Sequence, residues 1–170
     1  YYIDLDILSE EKLLKKEEYI NVDFGNDNRR VDYEKIIKNK KKVLKLAAER
    51  FLLNKDKEYD DFIKDSDYFL NEYCIFTVIK ERYGGLLFND WDKIHRLHYD
   101  DVINEFAVQN AHDIEIEKVI QYLFFKQWLK LKKYANEKNV YIIGDMPIYS
   151  PQDSAEVFAK YKNFLLDADR

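Results

Sequence analysis

Asp145 is the residue best placed to do chemistry. It follows a short apolar run, Val140-Tyr141-Ile142-Ile143, and is followed in turn by Pro147. A carboxylate just past a buried strand, at the carboxyl end of a parallel sheet, is where α/β folds keep acid–base and substrate-holding groups. An Asp that merely turns the loop fits the same position, so both readings stand on the residues alone. Tyr149 adds a ring on the far side of Pro147, and such a ring suits either a sugar face or a core. Phe88, Trp91 and Trp128 are the other aromatics to weigh as sugar platforms. Trp128 falls on an apolar helical stripe and reads as core; Phe88 and Trp91 lie in an irregular stretch and are open to either use. Asp153-Ser154 reads as the N-cap of a following helix rather than as a site.

Other chemistries find less support. His95 and His98, with Asp92 before them, have a spacing that one helical face could turn toward a metal. Their Asp- and Arg-laced surroundings favour a solvated surface. No Ser-His-Asp order, zinc pattern or glycine-rich phosphate loop is present, and Gly84-Gly85 lacks the third glycine and the preceding strand. Cys74 is the single cysteine. It cannot form an internal disulfide, and among Tyr73, Ile75 and Phe76 it reads as a buried, inert thiol.

The elements that must hold these residues are mostly helical. Tyr2–Ile7 alternates apolar and polar residues as an extended opening, and Ser9 is placed to cap a short helix. Residues 21–30, including Asn26, Asp27 and Asn28, have loop chemistry. Asp32 is expected to cap a helix carrying Tyr33, Ile36, Ile37, Val43, Leu44, Ala47, Phe51 and Leu52 mostly on one stripe. After Asn54-Lys55-Asp56 a shorter helix is expected to end near Lys64, with Ser66 or Asp67 capping the next, which Gly84-Gly85 closes. Helices follow from about Tyr99 to Asn110 and from Ile114 to about Lys138, the second capped by Asn139. Val140–Ile143, β-branched and continuous, predicts a strand buried on both faces. Helix, buried strand and loop together resemble one unit of an α/β barrel.

Composition sets the outer bounds. The 170 residues suffice for one domain or part of a larger one. Charged residues at 36% and hydrophobic residues at 46% give an ordinary globular balance. A net charge of −5 argues against a nucleic-acid partner. The basic run Lys38, Lys40, Lys41, Lys42 and Lys45 lies inside a periodic helix and reads as its solvated face. No apolar run reaches membrane-spanning length and no signal peptide opens the chain, so a cytoplasmic location is the default expectation. Tyr1 stands first, and Met146 is the single methionine. These, with the abrupt Phe164-Leu165-Leu166-Asp167 close, are read as marks of an internal piece.

One further observation joins these pieces. Gly144-Asp145-Met146-Pro147-Ile148-Tyr149, followed by Asp153-Ser154-Ala155-Glu156-Val157-Phe158, resembles the 4-α-glucanotransferases of glycoside hydrolase family 77. The family's usual form is G-D-[hydrophobic]-P-I-[aromatic]-V, then D-S-x-x-V-W. Gln121–Trp128, Tyr2–Asp6, Val31-Asp32-Tyr33 and Tyr83-Gly84-Gly85 leading to Trp91 are similar in the same order, so the likeness spans the chain. Ser150 in place of Val and Phe158 in place of Trp are mild departures.

The resemblance implies an amylomaltase-type enzyme that moves α-1,4-glucan segments between maltooligosaccharides or starch- and glycogen-derived glucans, without cofactor or metal. Its retaining double displacement needs a carboxylate nucleophile and a carboxylic acid/base roughly 5 Å apart. Both belong to later barrel strands, past Arg170, so this chain supplies neither. Asp145 and Tyr149 are the substrate-binding residues it implies, with Asp145 shaping the site beside the scissile bond. The expected fold is mainly α, a helical insertion plus one strand–loop–helix unit of a TIM-type barrel. Residues 1–30 are the barrel-derived opening segment, 31–112 the helical insertion, and 113–170 the barrel helix, strand (about 140–144) and loop. The competing expectation is a self-sufficient helical binding module, in which Val140–Ile143 finds a partner strand in the chain or in an oligomer. In a barrel fragment that strand is unpaired and invites self-association.

Overall fold

The structure, a computed structural model, describes residues 1–27 and 29–167. Asn28, assigned above to the 21–30 loop, lies outside the described residues. Among those residues all regular structure is helical, and no helix is long and apolar enough to cross a membrane. The chain divides into two compact units, residues 1–61 with 119–142, and 62–118 with 143–170.

The first unit opens with α1 (Leu5–Glu10), whose N-cap is Asp4: its carboxylate accepts from the N–H groups of Asp6 and Ile7 at 2.8 and 3.3 Å. This corrects the extended opening and the Ser9 cap expected above. Leu5 and Leu8, one helical turn apart, are both buried, and Asp4 supplies the acceptor that free N–H groups at a helix start require. Ser9 therefore falls in the last turn. Lys12, at φ 62°, closes α1 as Leu13 N–H returns to the Leu8 carbonyl at 2.9 Å.

A 3-10 turn at Lys16–Glu18 presents Glu18 to Arg50, which donates to both carboxylate oxygens at 2.6 Å and to the Leu13 carbonyl at 3.1 Å. Two parallel charge-assisted bonds fix both side chains. Asp32 caps α2 (Tyr33–Lys35) as expected, accepting from Lys35 N–H at 3.1 Å. A π-turn over Ile36–Lys40 joins it to α3 (Lys41–Leu52), which buries Val43, Leu44, Ala47, Ala48 and Phe51. In the basic run Lys38 and Lys42 are exposed, while Lys40 donates to the Tyr1 carbonyl at 2.6 Å.

Asp56 organises the start of α4 (Lys57–Arg82). Its Oδ1 accepts from Tyr59 N–H at 2.9 Å, and both its oxygens lie 2.8 Å from the Tyr122 hydroxyl. Tyr122 is on α7 (Ala111–Glu137), as is Lys126, whose Nζ is 3.6 Å from the same carboxylate. The rings of Phe51, Tyr59 and Tyr122 close mutually at 5.3–5.4 Å. Burial, then the Asp56 carboxylate, holds the Tyr122 phenol above its ordinary pKa. Gln127 exchanges two bonds with the Asp4 backbone, at 2.7 and 3.0 Å.

The expected break near Lys64 does not occur; α4 is one helix of 26 residues. Ser66 is buried between Ile63 and Leu70, on the face that carries Tyr59, Phe62, Leu70 and Cys74. A serine caps a helix only where the preceding chain is not already helical, and here the 3–4 spacing runs through it unbroken.

The second unit packs α4, from Leu70 to Ile79, against Phe88, Trp91, Ile103, Ile114, Val157 and Phe158. Its other elements are a 3-10 turn at Phe88–Asp90, α5 (Lys93–Arg96), α6 (Asp100–Gln109), α8 (Ala155–Ala159) and a 3-10 turn at Tyr161–Asn163. Cys74 is fully buried, as expected. Gly84, at φ 64°, ends α4 with the Gly85 N–H on the Lys80 carbonyl at 2.9 Å; this is the left-handed closure anticipated for the glycine pair. Asn139 closes α7 in the same way at φ 58°, with Val140 N–H on the Ala135 carbonyl at 2.9 Å.

The strand expected over about 140–144 is not formed among the described residues: 140–147 carry no regular structure and are exposed throughout. A strand exists only against a neighbour that takes its N–H and C=O groups, and none is supplied here.

Two outcomes follow. The Arg50 pair, then the Lys15 backbone N–H, hold the Glu18 carboxyl down at about 2. A depressed folded pKa contributes stability above the unfolded value near 4.3, lost as pH falls through the folded one. Thermal melts from pH 5 down to pH 2 should therefore show a steeper loss in wild type than in Glu18→Gln. Asp56→Ala removes a helix cap and the carboxylate to which the buried Tyr122 hydroxyl donates, so urea unfolding should show a loss of about 2–3 kcal/mol.

Candidate functional site

The segment from Ile143 to Gln152 carries the residues singled out for chemistry. It lies between the closure of α7 at Asn139 and the start of α8. A Cβ built on Gly144 would meet nothing within 4 Å, so its immediate surroundings do not demand a glycine. The Asp145 carboxylate accepts from the Met146 N–H at 2.9 Å. Both Asp145 and Tyr149 face solvent, Tyr149 at 85% exposure. Ile143, Met146 and Ile148 are 93%, 83% and 88% exposed. The loop thus joins one open carboxylate to one open aromatic ring among bare apolar side chains. A carboxylate accepting hydroxyl hydrogen bonds beside an aromatic face can bind a sugar. Chemistry on a glycosidic bond would require a second, closely spaced carboxyl group.

The far end of the loop is fastened firmly. Asp153 forms an ion pair with Lys80 of α4, and its other oxygen accepts from Phe88 N–H at 3.2 Å. Ser154 caps α8 as expected, accepting from Val157 N–H at 3.3 Å. Val157 and Phe158 then enter the core. Phe158 meets Phe76 and Trp91 at 5.5 Å and the His98 ring at 4.7 Å. Its departure from the family's Trp is therefore an exchange inside the core, not at the surface. Ser150, the other departure, is exposed.

The remaining candidates resolve by burial. Phe88 and Trp91 are 1% and 2% exposed, and Trp91 lies flat on Tyr83 at 5.3 Å with its Nε1 donating to the Leu86 carbonyl. Both are core residues with no face free for a sugar. Trp128 is half-buried on α7.

The histidines diverge. His95 and Asp92 converge on the Tyr83 hydroxyl, at 2.8 and 3.0 Å. Burial pushes the His95 pKa down, against the opposing pull of Asp92. His98 instead sits between Glu72 and Asp100, its nitrogens 3.6 and 3.7 Å from their carboxylates. Among the described residues no group of three His, Cys, Asp or Glu could hold a metal ion.

Sequence reading places Asp153 with the Ser154 cap and does not find its tie to Lys80 and the Phe88 N–H. Its position beside a capping serine explains only local turn chemistry, and nothing in the spacing links it to Lys80.

A family model described as 4-alpha-glucanotransferase, glycoside hydrolase family 77, matches residues 1–170. The 4-alpha-glucanotransferase of Clostridium butyricum is 38% identical over 169 residues, covering 99% of this chain and 35% of that protein. That of Streptococcus pneumoniae serotype 4 is 37% identical over 171 residues, covering 99% and 34%. An amylomaltase from Streptococcus agalactiae, solved in complex with acarbose, superimposes with a TM-score of 0.91 at 35% identity, covering 98% of this chain and 34% of that one. The chain belongs to the 4-α-glucanotransferase family, glycoside hydrolase family 77. It spans about a third of the length of these relatives.

Phe158→Ala should lower the unfolding free energy by about 3–5 kcal/mol, the cost of a large cavity among rings. Trp91 fluorescence should shift to longer wavelength as water reaches the vacated space.

Proposed function

We propose that this chain is one segment of a cytoplasmic enzyme that transfers α-1,4-glucan segments between maltooligosaccharides by a retaining double displacement. The observation that carries the reading is the open loop at Gly144–Tyr149, in a chain whose whole length matches one family of glucan transferases. The likeness to an amylomaltase solved with acarbose supports a maltooligosaccharide-like ligand.

In this reading Asp145 accepts hydrogen bonds from sugar hydroxyls next to the bond being broken, and Tyr149 offers its ring to a sugar face. The nucleophile and the acid/base lie outside this chain, as do the loops that favour a sugar acceptor over water. Retention requires one of those carboxyls ionised and the other protonated, and no cofactor is needed for that chemistry. Residues 1–30 are the barrel-derived opening segment, 31–112 the helical insertion, and 113–170 the barrel helix, strand and loop. Val140–Ile143 becomes a barrel strand only when its neighbours are present. A self-sufficient helical module would pair this segment within the chain or in an oligomer, and among the described residues no partner strand is formed within the chain. The isolated chain is inactive and prone to associate through this segment.

Incubated with maltotriose, the 170-residue chain should release no glucose and build no longer oligosaccharides; their appearance would overturn its assignment as an incomplete segment. In the full-length protein, Asp145→Ala should lower kcat/KM for maltotriose by about 10–100-fold, the loss of a charge-assisted bond to the sugar. A wild-type value would remove Asp145 from the site.

A further inference from the structure

We infer that Lys80 and Asp153 are positioning residues for the substrate loop, a role that rests on the reading of Gly144–Tyr149 as the sugar-contacting segment. The loop itself has few holds: the Asp145 carboxylate accepts from the adjacent Met146 N–H, and the apolar side chains around it are bare. Its placement must come from its ends. At the downstream end only Ser150, Pro151 and Gln152 separate Tyr149 from Asp153. Pro151 fixes one backbone angle of this short span, so a displacement of Asp153 is passed to Tyr149 with little slack.

Asp153 is held by two elements at once. Lys80, in the last turn of α4, meets one carboxylate oxygen, and the Phe88 N–H of the following 3-10 turn meets the other at 3.2 Å. Gln152 adds a weaker bond to Asn89 at 3.4 Å. Both charged side chains are about three-quarters buried, with 27% exposure for Lys80 and 23% for Asp153. The two partners depend on each other unequally. Lys80 sits at a helix C-terminus, where the dipole favours a cation, and its Nζ lies 5.7 Å from the centre of the Phe76 ring. It is stabilised without Asp153. Asp153 without Lys80 is a partly buried carboxylate with a single backbone donor, and hydration draws it outward. The loop end moves with it, whereas α8 stays docked through Val157 and Phe158. Removing the lysine therefore loosens the loop more than the core.

The test uses the full-length protein with Lys80→Met, Lys80→Arg and Asp153→Asn, in two separate readouts. Kinetics with maltotriose should show KM raised about tenfold in Lys80→Met and Asp153→Asn with kcat changed less, and Lys80→Arg returning KM to within about twofold of wild type. Amide hydrogen exchange without substrate should show residues 144–152 exchanging faster in Lys80→Met, while α8 and α4 keep wild-type protection. Active wild-type protein together with wild-type KM and loop exchange in Lys80→Met would overturn the inference. So would equal loss of protection across α8 and the loop, which marks a purely structural role. If wild type does not disproportionate maltotriose, the functional reading fails, and the exchange pattern still decides whether the pair holds the loop.

Discussion

A polypeptide must satisfy its backbone N–H and C=O groups, and a helix does so from within while a strand depends on a neighbour. That constraint shapes this chain more than any single contact. Its elements from α1 to α8 close their own hydrogen bonds and use side chains only at the ends. Asp4, Asp32, Asp56 and Ser154 supply acceptors at helix starts. Lys12, Gly84 and Asn139 close helix ends in left-handed conformations. The segment least suited to helix, with Val140, Ile142 and Ile143 β-branched, is left without regular structure. The same segment leads into the loop on which the proposed sugar contacts sit. The proposed function is thus attached to a part of the chain that forms no regular structure among the described residues.

The high aromatic share finds its explanation in packing. Phe51, Tyr59 and Tyr122 form one cluster, knit by Asp56. Phe76, Phe88, Trp91 and Phe158 form another, reached by the ring of His98. Ring pairs set edge to face or tilted gain beyond the area they bury. Two tyrosine hydroxyls in these regions, those of Tyr122 and Tyr83, find carboxylates at their polar ends. Tyr149 is the contrast, a ring on a loop with nothing packed over it.

What could be read from the sequence follows from how local each cause is. The stripe on α7, the Asp32 cap and the glycine closure of α4 rest on residues a few positions apart, and spacing reveals them. The start of α1 is not legible in the same way, because the alternation of Tyr2–Ile7 fits a strand as well as a short helix, and only the burial of Leu5 with Leu8 decides. The unbroken run of α4 was hidden by Ser66 and Asp67, whose capping preference is real but yields to a core face that continues through them. The loop's motif was plain in the residues. Its anchor was not, because Lys80 and Asp153 meet only once the chain has folded, and no periodicity connects them.

The π-turn at Ile36–Lys40 carries a consequence of a different kind. A π-turn widens a helix by one residue, so it marks a position where the chain length can change by a single unit. Deleting one residue there would let Tyr33 to Leu52 run as a regular α-helix without disturbing the register of Val43, Leu44 and Ala47 further on. In lineage terms such a turn is what a one-residue insertion into a regular helix would leave, and relatives that differ from this chain by one residue in this helix would be expected to differ at this turn.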